Sequence, residues 1–538
     1  MQPFPLIVNS LALVCVFIAL VIPNRISNLD IGSLLVLPLE IFALGLLLLP
    51  GRIGLWLHWV MAALLSLGVI FKCADAATFH VFARPFNPLF DFYLLINGMN
   101  LLSGVLGSVG ALLISVLLLL TVAVIVVVAF WVLGRVQIVL RSKLIVSIAI
   151  ALIGVFIWLL LHFNNSKRAS LQFYQHWLAH TQSIVLTLRD RQLFQQQLDG
   201  DDTFLYADDA LLTGLSGKDV LVVFVESYGR TVIDNPEFSA HILPMLERSN
   251  QQLLEKGFIA RSGYLTSPTV GGLSWLAHGT AMSGLWIDNQ IRYNNLMLSQ
   301  RPTLNRLFKQ AGWRTLAVMP AITMAWPEGN YYGYDKIYHA HNLGYQGLPF
   351  NWVTMPDQYT LAAFQQFERV QKTRAPVMAE IALISSHAPW TPVPQMIDWN
   401  TVGDGRVFNV QASSGDSPET VWKDKARIRQ QYHLSIAYAL ENIVSYVTHY
   451  GDDNLVLLIL GDHQPAPIVT GAVTANDEHP QKGSRDVPVH LISRDQHVMK
   501  AIERWQWTEG MVPSTTVPVW PMDKLRNRFV EAFSLPAD

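Results

Sequence analysis

Residues 219–227 read Asp-Val-Leu-Val-Val-Phe-Val-Glu-Ser, six consecutive apolar residues closed by a carboxylate. Too short for a membrane helix and rich in valine, such a run reads as a strand buried on both faces of a parallel sheet. Two later stretches share the pattern: Met378–Ile384 (MAEIALI) runs into Ser385-Ser386-His387, and Asn454–Leu460 (NLVLLIL) into Gly461-Asp462-His463. Amphipathic helical stretches alternate with these runs, the signature of an α/β domain. Ligands of open parallel sheets bind at the carboxyl ends of the strands. Glu226, His387, Asp462 and His463 are therefore expected on one rim.

Taken singly, each of these residues has an ordinary structural use, as a turn cap or a solvated loop side chain. Together, two carboxylates and imidazole nitrogen suit one divalent cation, manganese or zinc first, with magnesium or calcium as alternatives. Such a site needs a nucleophile or an activated water. The hydroxyl-rich turn Leu265-Thr266-Ser267-Pro268-Thr269-Val270-Gly271-Gly272-Leu273-Ser274-Trp275 leads into a helical stretch and is the candidate. Free N–H groups at a helix start favour an anionic phosphoryl group, although Ser and Thr also cap helices for local reasons alone.

The chain has 538 residues, is 51% hydrophobic and only 14% charged, and carries a net charge of −2. The apolar content excludes disorder, and the charge balance gives no sign of a nucleic-acid partner. Cys15 and Cys73, the sole cysteines, both lie in apolar stretches, which excludes a disulfide scaffold and a Cys-rich zinc site. Charge is sparse up to Phe163: seven basic residues (Arg25, Arg52, Lys72, Arg84, Arg135, Arg141, Lys143) and four acidic ones (Asp30, Glu40, Asp75, Asp91). Five apolar runs there, near Leu6–Pro23, Ile31–Leu49, Ile53–Ala74, Leu112–Val132 and Leu144–His162, approach the ~20 residues that cross a bilayer. The first lacks the basic start and cleavage site of a signal peptide and reads as a retained span. The loop from Gly134 to Lys143 carries three basic residues and no acid, so it is expected in the cytoplasm. Five spans then place the N-terminus inside and everything after Phe163 outside. The expected organisation is a membrane domain over 1–163, an amphipathic coupling helix and linker over 164–215, and an outer α/β domain over 216–538.

These residues together resemble the alkaline phosphatase superfamily, in particular its membrane-anchored, sulfatase-like phosphotransferases: lipoteichoic acid synthases, phosphoglycerol transferases and phosphoethanolamine transferases. The resemblance rests on Val225-Glu226-Ser227, Thr269-Val270-Gly271-Gly272, Ser386-His387-Ala388-Pro389 and Gly461-Asp462-His463, combined with five apolar runs. It implies five transmembrane helices followed by a C-terminal sulfatase-like α/β domain. It also implies a metal held by Glu226, Thr269, Asp462 and His463, with Thr269 as nucleophile and His387 assisting at the phosphoryl group. Thr266, Ser267 and Ser274 lie close enough to take that nucleophilic role instead. No Cys or Ser of a C/S-x-P-S-R motif is present, which disfavours sulfate-ester hydrolysis. The outer domain can form no disulfides, and Arg485-Asp486-Val487-Pro488 stands where phosphoethanolamine transferases tend to keep a histidine, with His490 out of register. Both departures lean toward the phosphoglycerol-transferring branch or a less familiar relative.

The implied activity is transfer of a phosphoglycerol or phosphoethanolamine unit from a phospholipid, through a covalent phospho-threonine, onto an envelope glycan or lipid. A hydrolase of the same fold and a non-catalytic lipid-binding relative are the competing readings. The implied location is the inner membrane, multi-pass, with the catalytic domain in the periplasm or outside the cell. Trp326, Asn330 and His278 are the candidate substrate contacts. None of these patterns sets an oligomeric state.

Overall fold

The computed structural model describes residues 3–164, 166, 168–199, 210–371, 373–471 and 485–534. The chain falls into two compact units divided near Asp190.

In the first unit, three helices among the described residues are long and apolar enough to cross a membrane: Gly51–Phe82, Gly107–Ser142 and Leu144–Phe163. The first expected span forms a 19-residue α-helix, Pro3–Val21. Its last carbonyls, Ala19 O and Leu20 O, accept hydrogen bonds from the buried Lys72 ammonium at 3.1 and 2.9 Å. A cation at the negative end of a helix is favourable on both dipole and hydrogen-bond grounds.

The expected span Ile31–Leu49 does not form one continuous α-helix. Asp30 caps a four-residue helix, Ile31–Leu34, Leu37-Pro38 pairs with Ala169-Ser170 in a short parallel bridge, and Leu39–Leu48 is a 3₁₀-helix. Proline 38 interrupts the run because it clashes with a preceding helical turn and has no N–H to donate. Ten 3₁₀ residues rise about 20 Å, short of the ~30 Å hydrocarbon core. Beyond the last long apolar helix, the expected amphipathic segment forms as Gln172–Asp199.

The second unit is built on a nine-stranded sheet. In chain order its strands are β1 Asp219–Val225, β2 Ile259–Thr266, β3 Arg314–Met319, β4 Lys336–His339, β5 Val377–Leu383, β6 Leu455–Gly461, β7 Asp486–Ser493, β8 Thr508–Glu509 and β9 Val519–Pro521. The spatial order is β8-β2-β7-β6-β1-β5-β3-β4, with β9 paired to β2. Strand β1 is parallel to both β5 and β6, and β7 is antiparallel to β6 and β2. Alternate residues of β1 feed two different cores: Leu221, Val223 and Val225 on one face, Val220, Val222 and Phe224 on the other. A strand covered on both sides needs the unbroken apolar run that the sequence shows. Val225 pairs with Leu383 on one side and Gly461 on the other, so the three strands end level.

His490 lies inside β7, fully buried beneath this rim. Ser262 Oγ donates to the Gly510 carbonyl at 2.6 Å, so His490 Nδ1–H donates to Ser262 Oγ at 2.6 Å and Nε2 accepts from the Tyr228 hydroxyl at 3.0 Å. Only the neutral imidazole fits that arrangement, and burial pushes its pKa from 6.5 down to about 3. As pH falls below 6.5 the unfolded chain takes up a proton that the folded chain refuses. Stability present above pH 6.5 is therefore lost toward pH 3, at up to about 1.4 kcal/mol per unit from this group. His490→Gln is expected to flatten the pH dependence of the urea midpoint in that window while lowering the midpoint at neutral pH.

Candidate metal centre and nucleophile

The level strand ends bring Glu226, Asp462 and His463 into one buried cluster. Their candidate ligand atoms all lie within 4.8 Å of one another. His463 Nδ1 bonds to the Gln464 carbonyl at 2.8 Å, which directs Nε2 toward Glu226 Oε1 at 3.2 Å and Asp462 Oδ2 at 3.7 Å. A histidine oriented through its second nitrogen is the usual state of a metal ligand. Asp462 Oδ1 accepts from the Ser227 and His463 backbone N–H groups at 2.8 and 2.7 Å. Ser227 itself takes a left-handed conformation (φ 58°), uncommon for a residue with a side chain. Gly461 lets β6 approach this turn, because a Cβ there would lie 1.9 Å from the Tyr228 carbonyl oxygen.

The electrostatics describe a site short of positive charge. Burial and the neighbouring Glu226 push Asp462 up to about 7. His463 rises to about 9, because the pull of Asp462 and Glu226 overcomes its burial. Burial opposes ionisation of Glu226 too, yet His463 beside it holds that carboxyl well below the usual range. Two carboxylates share one buried space and a proton has to balance them. A divalent cation would replace that proton, and an O,O,N donor set fits zinc or manganese.

The hydroxyl in contact with this cluster belongs to Ser274. Its Oγ lies 2.9 Å from Glu226 Oε2 and 3.3 Å from His463 Nε2. Ser274 opens the ten-residue helix Ser274–Ser283 after a turn whose Gly271, Gly272 and Leu273 all have positive φ (73°, 147° and 66°). Thr269, the expected nucleophile and fourth ligand, has its hydroxyl turned away to donate to the Gly272 carbonyl at 2.6 Å. The two flanking alternatives are likewise committed, Thr266 Oγ1 to Asp486 Oδ1 at 2.9 Å and Ser267 Oγ to the Asp462 carbonyl at 2.5 Å. The turn uses its first three hydroxyls to hold its own shape and presents the fourth.

His387 follows β5 on the same rim and interacts electrostatically with Glu226 and His463. Its ring stacks on Trp352 (centroids 3.6 Å apart), its Nδ1 bonds to the Ala388 carbonyl at 2.5 Å, and burial lowers its pKa. Ser386 Oγ donates to the Glu226 carbonyl at 2.6 Å and ties the two strand ends together. His278 sits one turn after Ser274 on the same helix. Its ring stacks on Phe224, and its Nδ1 meets Glu380 Oε1 at 2.7 Å, a buried carboxylate that also accepts from Asn305 and Tyr334. Trp326 packs on Tyr332 and Tyr334. Asn330 is exposed, its carbonyl accepting from Arg306 at 3.4 Å. Neither of these two touches the cluster among the contacts of the described residues.

Residues 218–510 match the model of the sulfatase family. The chain belongs to that family. Comparison with curated proteins gives no match. Among solved structures, lipooligosaccharide phosphoethanolamine transferase A (EptA) of Neisseria meningitidis aligns over 97% of this chain and 95% of its own, at 12% identity and a TM-score of 0.44. Lipoteichoic acid synthase LtaP of Listeria monocytogenes aligns over 64% and 78%, at 14% identity and 0.40. The zinc complex of the C-terminal periplasmic domain of EcEptC from Escherichia coli aligns over 59% and 82%, at 14% identity and 0.41.

His463→Ala removes one candidate ligand atom together with its contacts to the Gln464 carbonyl, Ser274 Oγ and Glu226 Oε1. It is expected to weaken zinc binding at this cluster by at least about 10–100-fold, read by chelator competition, and to lower the thermal midpoint of the metal-free protein, because the buried Glu226 and Asp462 lose the imidazolium that balances them.

Proposed function

We propose that this sulfatase-family chain transfers a phosphoryl head group, phosphoglycerol or phosphoethanolamine, from a phospholipid to an envelope glycan or lipid through a covalent phospho-serine at Ser274. The observation that carries this reading is the Ser274 hydroxyl held against Glu226 and His463 at a helix start. The apolar helices of the first unit suit an enzyme whose donor is a membrane lipid, with the catalytic domain on the periplasmic or outer side.

A cation bound by Glu226, Asp462 and His463 supplies charge that acidifies a neighbouring hydroxyl and offsets the negative phosphoryl oxygens. The protein's own groups do the remaining work. In the first half-reaction the Ser274 Oγ–phosphorus bond forms and the bond from phosphorus to the diacylglycerol oxygen breaks. Ser274 Oγ is oriented by its hydrogen bond to Glu226 Oε2, and the proton it loses ends on the departing diacylglycerol oxygen. In the second half-reaction an acceptor hydroxyl attacks the same phosphorus and Ser274 Oγ leaves. His387, neutral and with Nδ1 committed to the Ala388 carbonyl, has a free Nε2 lone pair to carry the acceptor's proton to Ser274. The N-terminus of the helix Ser274–Ser283 favours the anionic intermediate.

Peptide mass spectrometry of full-length protein incubated with mixed phospholipids and zinc or manganese tests this reading. The expected result is a phosphoglycerol or phosphoethanolamine adduct on the peptide holding Ser274, lost in Ser274→Ala and retained in Thr269→Ala. An adduct that disappears with Thr269→Ala and survives Ser274→Ala restores Thr269 as nucleophile. Head-group release with no adduct and no need of an acceptor favours a hydrolase.

A further inference from the structure

A second cluster of metal-ligating residues lies in the other unit: Asp75 on the helix Gly51–Phe82, and His176 and His180 one turn apart on the helix Gln172–Asp199. All three are buried, with 1%, 8% and 4% of their surface exposed. We propose that they form a second divalent-cation site of the zinc class, stapling the coupling helix to the helix that carries Asp75.

The distances argue for a cation rather than hydrogen bonds. His176 Nδ1 and His180 Nε2 lie 3.5 and 3.4 Å from the same carboxylate oxygen, Asp75 Oδ2. Nitrogen–oxygen hydrogen bonds run about 2.7–3.2 Å, whereas a tetrahedral centre with ligands at about 2.0–2.1 Å separates its donor atoms by about 3.3–3.4 Å. His176 Nε2 is buried and has no hydrogen-bond partner among the described residues, so the ring's polar contact is with Asp75 alone.

The carboxylate is held as ligating carboxylates are held. Asn24 Nδ2 donates to Asp75 Oδ2 at 2.7 Å, and the Phe86 backbone N–H to Oδ1 at 2.9 Å. The nearby cation, Lys72, spends its ammonium on the Ala19 and Leu20 carbonyls one turn away. The charge on Asp75 is therefore met by the two imidazoles or by an ion between them. The rings stand edge to face with centroids 4.6 Å apart, and an ion allows both to stay neutral. The i, i+4 spacing of His176 and His180 puts both on one helix face, the arrangement by which a single helix supplies two ligands.

Full-length protein in detergent, stripped with chelator, reloaded with Zn²⁺ and desalted, can be assayed for zinc per chain. Wild type is expected to hold one equivalent more than His176→Gln/His180→Gln, and His463→Ala is expected to keep that additional ion. A single equivalent in wild type, lost on His463→Ala, overturns the proposal and leaves a protonated histidine as the partner of Asp75. A second equivalent that survives the double substitution overturns the assignment. Should the double variant fail to fold, His180→Cys retains a ligand. Loaded with Co²⁺, it is expected to gain a thiolate-to-cobalt charge-transfer band that wild type lacks. Absence of that band in variant protein that elutes as wild type does also overturns the proposal.

Discussion

The register of three parallel strands is the constraint from which the catalytic unit follows. Val225 of β1 lies beside Leu383 of β5 and Gly461 of β6. Side chains that immediately follow these residues must therefore share one edge of the sheet. A slip of one residue in either pairing would turn the next side chain to the opposite face and separate the ligands. Strands lined mainly by apolar side chains between two cores hold that register firmly, since each buried Val, Leu or Phe contributes about 1.5–3 kcal/mol only when it is in place. The far end of β1 is fixed as well: Asp219 accepts from Arg369 and Arg374 and from the Val377 N–H that starts β5.

Level strand ends create an electrostatic conflict that a soluble core would avoid. Glu226 and Asp462 are both buried, both acidic and both within reach of His463. Sharing a proton among them is a poor solution, because burial penalises each charged form and one carboxylate ionises at the expense of the other. The surrounding hydrogen bonds are preorganised for a cation instead. Backbone N–H groups of Ser227 and His463 hold Asp462, and the Gln464 carbonyl fixes the tautomer of His463. Breaking one of these contacts disturbs the ligand geometry without touching the ligands themselves.

Much of this arrangement was legible in the sequence, for a physical reason. A doubly covered strand is a mainly apolar run, broken in β5 by Glu380 alone, so its end is marked, and Glu226, His387, Asp462 and His463 each stand within four residues of such an end. The hydroxyl that meets the cluster was not legible in the same way. The turn from Thr266 to Leu273 has no period, and three positive φ values in succession decide which hydroxyl faces the ligands. The signal that would have helped is the helix start, since Ser274 and His278 share one face at the i, i+4 spacing. Misreading Ile31–Leu49 as a span has a plainer cause. Hydropathy averaged over the run conceals Pro38 and Glu40, whose Oε1 accepts from the Tyr174 N–H in the coupling helix. Asp75 reads as an isolated charge at a helix end until the His176–His180 face is brought against it.

The helix that presents Ser274 is pinned to the sheet at two points, and the second explains how the first stays precise. Ser274 touches the rim through its hydroxyl, at 2.9 Å from Glu226 and 3.3 Å from His463, and two such contacts are a weak anchor for a whole helix. One turn further on, His278 is bonded to Glu380, which sits in the middle of β5 rather than at its end. Glu380 is 1% exposed, and its second oxygen is filled by Asn305 and Tyr334 at 3.0 and 2.5 Å. A buried carboxylate with both oxygens engaged resists displacement, because losing its partners exposes an uncompensated charge in a low-dielectric site. The stack of His278 on Phe224 adds contact with β1 itself. The helix Ser274–Ser283 is thus fixed to two of the three strands that form the rim, and the position of Ser274 does not depend on its own hydroxyl contacts alone.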